Sequence, residues 1–204
     1  MKLIKLVLSA VLAAGTLTSA AGVATADPIV TMEQAWQQRP AQVGASASVT
    51  DSDPFYFQVN GRGGYCLDNF ASGGGANNSP VGLWTCNGGL TERWRFRWIT
   101  NNGAYDTLLV NLASGRCLDY PASAGNNIGW QFNVYDCKDG AARGQNFAVT
   151  QPNGAGLVFL SQATTHTVAM DALADFWHGN GSPVGLWTYT VPGNSLQTWN
   201  ITNA

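Results

Sequence analysis

The octapeptide SPVGLWTC at residues 79–86 returns as SPVGLWTY at residues 182–189, with seven of eight letters matching at an offset of 103. An offset near twice fifty points to a middle copy, and one is present. Cys66-Leu67-Asp68 recurs 51 residues on as Cys117-Leu118-Asp119, and 52 further on as Ala169-Met170-Asp171. Each Asp is followed 16 positions later by an aromatic: Trp84, Tyr135 and Trp187. A third landmark keeps the same register: Glu92-Arg93-Trp94, Gln145-Asn146-Phe147 and Gln197-Thr198-Trp199. Three landmarks in step across three copies establish a tandem repeat of roughly fifty residues, a length at which no copy buries a core alone.

The repeat also predicts the cysteine pairing. Unit one holds Cys66 and Cys86, and unit two holds Cys117 and Cys137, each pair 20 apart; unit three has Ala169 and Tyr189 at the matching places. Both members of the pair are lost together in unit three. A bond within each unit explains that, whereas a bond between units would strand a thiol. Cys66–Cys86 and Cys117–Cys137 are therefore expected, each stabilising by roughly 3 kcal/mol in the chain-entropy view. Unit three has to rely on packing, with Tyr189 expected to fill the space.

The local pattern is β throughout. FYFQV (55–59), DTLLVNL (106–112) and GLVFLS (156–161) open the units as strands, and VGLWT, FNVYD and VGLWT form the second strands. ERWRFRWIT alternates, with Trp94, Phe96 and Trp98 on one face and Arg93, Arg95 and Arg97 on the other. The arginine face reads either as a solvated strand surface or as a local site for an acidic polysaccharide. Clusters of Gly, Asn, Ser and Pro separate the strands. The three units are expected to pack about a pseudo-threefold axis, with Trp94, Phe147 and Trp199 meeting inside.

Residues 1–26 carry Lys2 and Lys5, an apolar run and Ala24-Thr25-Ala26, the pattern of a secretory signal peptide. Gly15, Thr16, Thr18 and Ser19 break the apolar run well short of the ~20 residues a span requires, and no membrane span is expected. Export to an oxidising compartment suits the disulfides. Without this segment 8 basic side chains face 12 acidic ones, a net charge of −4. That balance gives no electrostatic reason to bind nucleic acid or anionic membranes. Residues 27–52 lie outside the repeat. Thr31-Met32-Glu33-Gln34 resembles a capping box for a short helix ending before Pro40, and the following AQVGASASVTDSDP reads as linker; disorder is the other reading of this extension. Residues 53–204 form the repeat domain, expected to be monomeric.

Taken together, the landmarks resemble the ricin B-chain-like family of carbohydrate-binding β-trefoils, which shows a Cys-Leu-Asp start, an aliphatic-x-aliphatic-aromatic-x-Cys middle and a Gln-x-Trp end three times in tandem. The resemblance spans residues 53–204 and implies an all-β trefoil that binds polysaccharide or glycan. A carboxylate accepts hydrogen bonds from two neighbouring sugar hydroxyls, and an aromatic ring covers the apolar face of a pyranose. Carried over, the family's acid and ring fall on Asp68 and Trp84, Asp119 and Tyr135, and Asp171 and Trp187. The strand amide falls on Asn133 in unit two but on Gly82 and Gly185 elsewhere. The family's Asn beside the Gln-x-Trp is replaced by Thr91, Gly144 and Leu196, and Glu92 stands for the Gln in unit one. On this count unit two is the most complete, and Asn77 and Asn180 are candidates for the missing amides.

Two plainer readings stand beside these: the Asp as a turn residue bonding backbone N–H groups, and the ring as core. No catalytic motif, metal-ligand cluster or cofactor signature accompanies the repeat, so no enzyme activity, metal or cofactor is expected. The absent terminal Asn, together with Trp36 in the extension, leaves a second reading: a degenerate trefoil that binds a secreted protein partner, as an inhibitor or toxin-like subunit.

Overall fold

The computed structural model describes residues 29–30, 34–35, 37–39, 48–70, 75–101, 104–124, 127–138, 143–152, 156–162 and 167–204. Residues 1–26, Thr31 to Glu33 of the expected capping box and Trp36 lie outside the described residues. Two short strands precede the repeats, β1 (Ile29–Val30) and β2 (Ser48–Asp51). Unit one contains β3 (Phe55–Val59), β4 (Tyr65–Asn69), β5 (Ser79–Thr85) and β6 (Arg93–Asn101). Unit two contains β7 (Ala104–Asn111), β8 (Cys117–Asp119), β9 (Asn133–Tyr135) and β10 (Phe147–Thr150). Unit three contains β11 (Val158–Ser161), β12 (Val168–Asp171), β13 (Ser182–Pro183), β14 (Gly185–Thr188) and β15 (Trp199–Asn203). The chain is the all-β trefoil that the resemblance implied.

Each unit builds the same antiparallel hairpin in the same register. Cys66 faces Trp84, Cys117 faces Tyr135 and Ala169 faces Trp187, which sets Asp68 opposite Gly82, Asp119 opposite Asn133 and Asp171 opposite Gly185. Side chains alternate across these strands. Leu83, Val134 and Leu186 therefore enter the core, and the aromatic that follows each turns outward.

The hairpins are laced to one another around the axis. The backbone N–H groups of Asn78, Gly129 and Gly181 donate to the carbonyls of Val134, Leu186 and Leu83, each in the next unit round the ring. All three donors have positive φ, at 69°, 84° and 89°. Glycine adopts that conformation freely; Asn is among the few other residues that tolerate it. Trp94, Phe147 and Trp199 are all buried in one core with Phe57, Phe96 and Phe159. The buried indoles satisfy their N–H groups at equivalent carbonyls, Trp94 on Leu67 at 2.9 Å and Trp199 on Met170 at 3.4 Å.

Both predicted disulfides, Cys66–Cys86 and Cys117–Cys137, are present. In unit three the Tyr189 N–H still bonds the Thr167 carbonyl, as Cys86 N–H bonds Gly64. The backbone clasp thus outlives the sulfur bridge, with Tyr189 partly buried beside it.

The segment read as linker departs from expectation. Ser48–Asp51 is a strand paired with residues 97–100 of β6, and Ile29–Val30 pairs with the last strand. The cause is an open edge. On one side β6 pairs with β3 only at Arg93 and Trp94, so its far half needs another partner. The same pairing changes the arginine face. Arg97 Nε lies 2.7 Å and Arg95 Nη1 3.4 Å from the Asp51 carboxylate. Both are half-buried pairs rather than freely solvated side chains, and Arg97 beside Asp51 holds its carboxyl below the usual range.

Candidate functional site

The family's Gln position in each unit braces the hairpin. Gln145 accepts from Lys138 N–H and donates to the Asp136 carbonyl; Gln197 accepts from Thr190 N–H and donates to Thr188. Glu92 has no amide to donate, so both its oxygens accept, from the N–H groups of Asn87 and Gly88. These buried side chains hold the chain between ring and Gln, which shapes the rim of each site.

The three aspartates sit at the base of the hairpins, all buried. They are not turn-capping residues: no backbone N–H bonds their carboxylates among the described contacts. Burial pushes the Asp68 and Asp171 carboxyls up to about 6, against the opposing effects of the Thr91 hydroxyl and the Gln197 amide respectively. The charge of Glu92 adds to the rise at Asp68. Burial raises Asp119 as well, opposed by Gln145 and by the Lys138 charge.

What surrounds each acid differs. In unit one the Thr91 hydroxyl donates to Asp68 at 3.0 Å. Phe70 packs edge-on to Trp84 at 5.7 Å and lies over Gly82, where a Cβ would fall 2.6 Å from its ring. An aromatic ring thus takes the space of the missing amide.

In unit two the Lys138 ammonium lies 4.8 Å from the Tyr135 ring centroid, on the ring predicted as a sugar platform. Asn133 is buried, with its amide nitrogen 3.4 Å from Asn78 Oδ1 and its own carbonyl oxygen unpartnered. Gly144 is glycine because a Cβ there would lie 2.4 Å from the Tyr120 carbonyl, so the terminal Asn has no room.

In unit three the acid and the ring open into one cleft of about 180 Å³. Asp171 and Trp187 both line it, together with a second carboxylate, Asp175, and with Leu173, Ala174, Phe176, Asn194 and Leu196. Trp187 is 38% exposed and Phe176 53%. A 3-10 turn, Ala174–Phe176, presents Phe176 and is held by the His178 ring against the Phe176 carbonyl at 2.8 Å. Leu196, at the place of the terminal Asn, is a wall residue. Gly185 has no room for an amide, since a Cβ would lie 2.1 Å from the Trp130 carbonyl.

Asn77 and Asn180 do not supply the missing amides. Asn77 bonds Asp136 of unit two through backbone and side chain, and Asn180 Oδ1 accepts from Thr85 of unit one. Both fasten their unit to the next. Phe176 and Asn194 were not singled out from sequence. The loop of Phe176 has a counterpart of equal length in each unit, and unit two repeats its 3-10 turn at Ala122–Ala124. The side chain differs, Gly73 and Ala124 standing where unit three has Phe176, so comparing the units for shared residues passes it over.

Among the described residues no helix is long and apolar enough to cross a membrane, and no group of three or more His, Cys, Asp or Glu is placed to hold a metal ion.

Comparison with solved structures gives the same architecture. The designed threefold-symmetric protein ThreeFoil superposes with a TM-score of 0.62 at 17% identity, covering 74% of this chain and 99% of its own. The Macrolepiota procera ricin B-like lectin, in complex with lactose, gives 0.54 at 14% identity, covering 80% and 100%. The Vibrio vulnificus hemolysin/cytolysin β-trefoil lectin, with N-acetyl-D-lactosamine bound, gives 0.50 at 19%, covering 74% and 94%. At these identities the likeness speaks for the fold. A search of curated proteins finds no match. The model of the ricin-type β-trefoil lectin domain-like family matches residues 32–135, just over half of the chain and taking in the hairpins of units one and two, and the chain belongs to that family.

Proposed function

We propose that the chain is a secreted, non-catalytic carbohydrate-binding module whose principal site is the unit-three cleft. The observation that carries this reading is that Asp171 and the exposed rings of Trp187 and Phe176 line one open cleft. A carboxylate there accepts from two sugar hydroxyls, and the rings cover the C–H face of the same pyranose. The family's lectin fold supports the ligand class. The disulfides and the N-terminal pattern support export. Units one and two supply weaker, secondary sites. Their acids are as deeply set, but Phe70 and Thr91 fill one site and Lys138 lies across the ring of the other. Several weak sites on one polymer add up through avidity.

Lactose and N-acetyl-D-lactosamine, found with the two lectins above, are the first probes, followed by galactose, xylose and a polysaccharide panel. Titration calorimetry on wild type and on D171A and W187A is expected to show binding that both substitutions weaken strongly while the circular dichroism spectrum stays unchanged. If a D68A/D119A/D171A protein bound as well as wild type, these would be the wrong pockets. Capture of a secreted protein that free saccharide does not displace would favour the protein-binding reading instead.

A further inference from the structure

The junction between units two and three breaks the symmetry of the molecule. At the other two junctions the position two before the laced strand entry is Asn77 or Asn180, each bonded to the next unit, and the position after the lacing residue is Ser79 or Ser182, both buried. At the corresponding places unit two carries Ile128 and Trp130. The backbone path is conserved, because the carbonyls of Ser182 and Trp130 press on Gly82 and Gly185 in the same way. Only the side chains differ. An indole does not fit the space of a buried serine, and Trp130 turns outward to 46% exposure with Ile128 exposed beside it.

The segment carrying this pair abuts Trp187, which lines the unit-three cleft. Gly129, between the two, donates its N–H to Leu186 at 2.7 Å, and the Trp187 ring lies over it, 3.2 Å from where a Cβ would project. The segment therefore runs beside the Trp187 strand at about one strand spacing, ~4.8 Å. Trp94 and Trp199 donate their indole N–H groups to backbone carbonyls; Trp130 and Trp187 have no such acceptor among the described residues. Each of these exposed tryptophans thus presents an apolar face and a free donor, the pairing that suits a pyranose and its hydroxyls.

We infer that Ile128 and Trp130 form a second subsite holding the neighbouring sugar of the same chain, so that the unit-three site takes an internal stretch of oligo- or polysaccharide rather than a single terminal residue. The inference rests on the carbohydrate reading of the cleft. A protein partner is disfavoured because the exposed pair adjoins the Trp187 edge of a cleft lined by two carboxylates, Asp171 and Asp175.

The test restores the symmetry of the other junctions with an I128N/W130S protein. It is titrated beside wild type and D171A with galactose, xylose, glucose and N-acetylglucosamine and their linear oligomers up to the hexamer. In wild type the second sugar is expected to add about tenfold in affinity, the scale of one good aromatic contact. I128N/W130S is expected to keep the monosaccharide affinity and lose that gain, while D171A loses both. Because Ile128 and Trp130 are exposed, folding is not at stake, and an unchanged melting curve checks it. A double variant that keeps the full chain-length gain overturns the subsite and leaves the cleft reading intact, as does a wild type that binds monosaccharide and hexamer alike. A wild type that binds none of the panel overturns both. Saturation of the Trp130 fluorescence by a secreted protein, undisturbed by oligosaccharide, overturns the subsite in favour of a protein surface.

Discussion

Units two and three show how a repeat keeps its frame while exchanging its contents. Unit two carries the disulfide, the strand amide and the acid–ring pair, yet Lys138 lies across its ring and Asn133 is buried against Asn78. Unit three lost the disulfide and has glycine and leucine where the amides should be, yet its acid and ring share an open cleft. An inventory of side chains favours the first, and the space around them favours the second. On the proposed reading, site quality is set by the side chains of the loops after the acid and of the neighbouring unit's edge, which differ from unit to unit while the backbone lacing repeats.

The largest expected effect concerns how each unit is braced. Replacing Cys117 and Cys137 with Ala removes a 20-residue covalent closure, and is expected to lower unfolding stability by roughly 3 kcal/mol. Urea denaturation measures it. Unit three already holds its clasp with the Tyr189 N–H alone. A C117A/C137A protein as stable as wild type would mean that packing alone suffices in unit two, and the contrast in bracing would disappear.

A smaller effect separates the two acids. Asp171→Ala is expected to weaken saccharide binding by about 2 kcal/mol, the scale of a hydrogen bond to a charged group, while Asp119→Ala changes it by much less. Equal losses on titration would return unit two to equal standing.

Proton linkage gives a third contrast. Asp171 titrates near 6 in the fold, and sugar hydroxyls donate best to its ionised form. About a tenth of the free sites remain ionised one unit below that value, so affinity at the unit-three site is expected to fall about tenfold between pH 7 and pH 5. Stability moves the other way. The folded pKa lies above the unfolded value of 3.8, so the folded state takes up a proton first. The stabilisation from that proton is complete below the unfolded value and is lost as pH rises through about 6. Asp68 adds a like contribution. Melting temperature should therefore rise on acidification from pH 7 to pH 5 while affinity declines. Parallel trends would show that Asp171 is not the residue that receives the sugar.

The register of the repeat was legible because it is written in residues the core requires. Trp94, Phe147 and Trp199, the Leu-Asp strands and the joint loss of Cys at Ala169 and Tyr189 all report on packing. Packing repeats wherever the backbone repeats. The strand Ser48–Asp51 was hidden because its partner edge, residues 97–100 of β6, exists only once β3 is seen to pair with the other half. Phe176 was hidden for a related reason. Its loop repeats in length and in its 3-10 turn, but the matching places hold Gly73 and Ala124, and its value comes from lining the same cleft as Trp187. Gly82, Gly144 and Gly185 read as missing polar groups in sequence. In the fold they are places where a neighbouring ring or carbonyl leaves no room for a side chain.

Lys138 provides the smallest and most discriminating test of the comparison. Its ammonium lies against the Tyr135 ring and its charge opposes the rise of the Asp119 carboxyl, so it touches both halves of the predicted unit-two site. Units one and three have Asn87 and Thr190 there, neither charged. A contact of this exposed kind is worth about 0.5–1 kcal/mol. If Lys138 shields the ring from neutral sugar, Lys138→Thr should raise the affinity of unit two for neutral saccharide by a few-fold, measured in a D171A background where unit three is silent. The same change should raise the Asp119 carboxyl further, since it removes the opposing charge, and the recovered binding should then fall off at a higher pH than in the Lys138 protein. A loss of affinity on substitution would reverse the reading. Lys138 would then be a ligand-facing cation, and unit two a site for an acidic sugar.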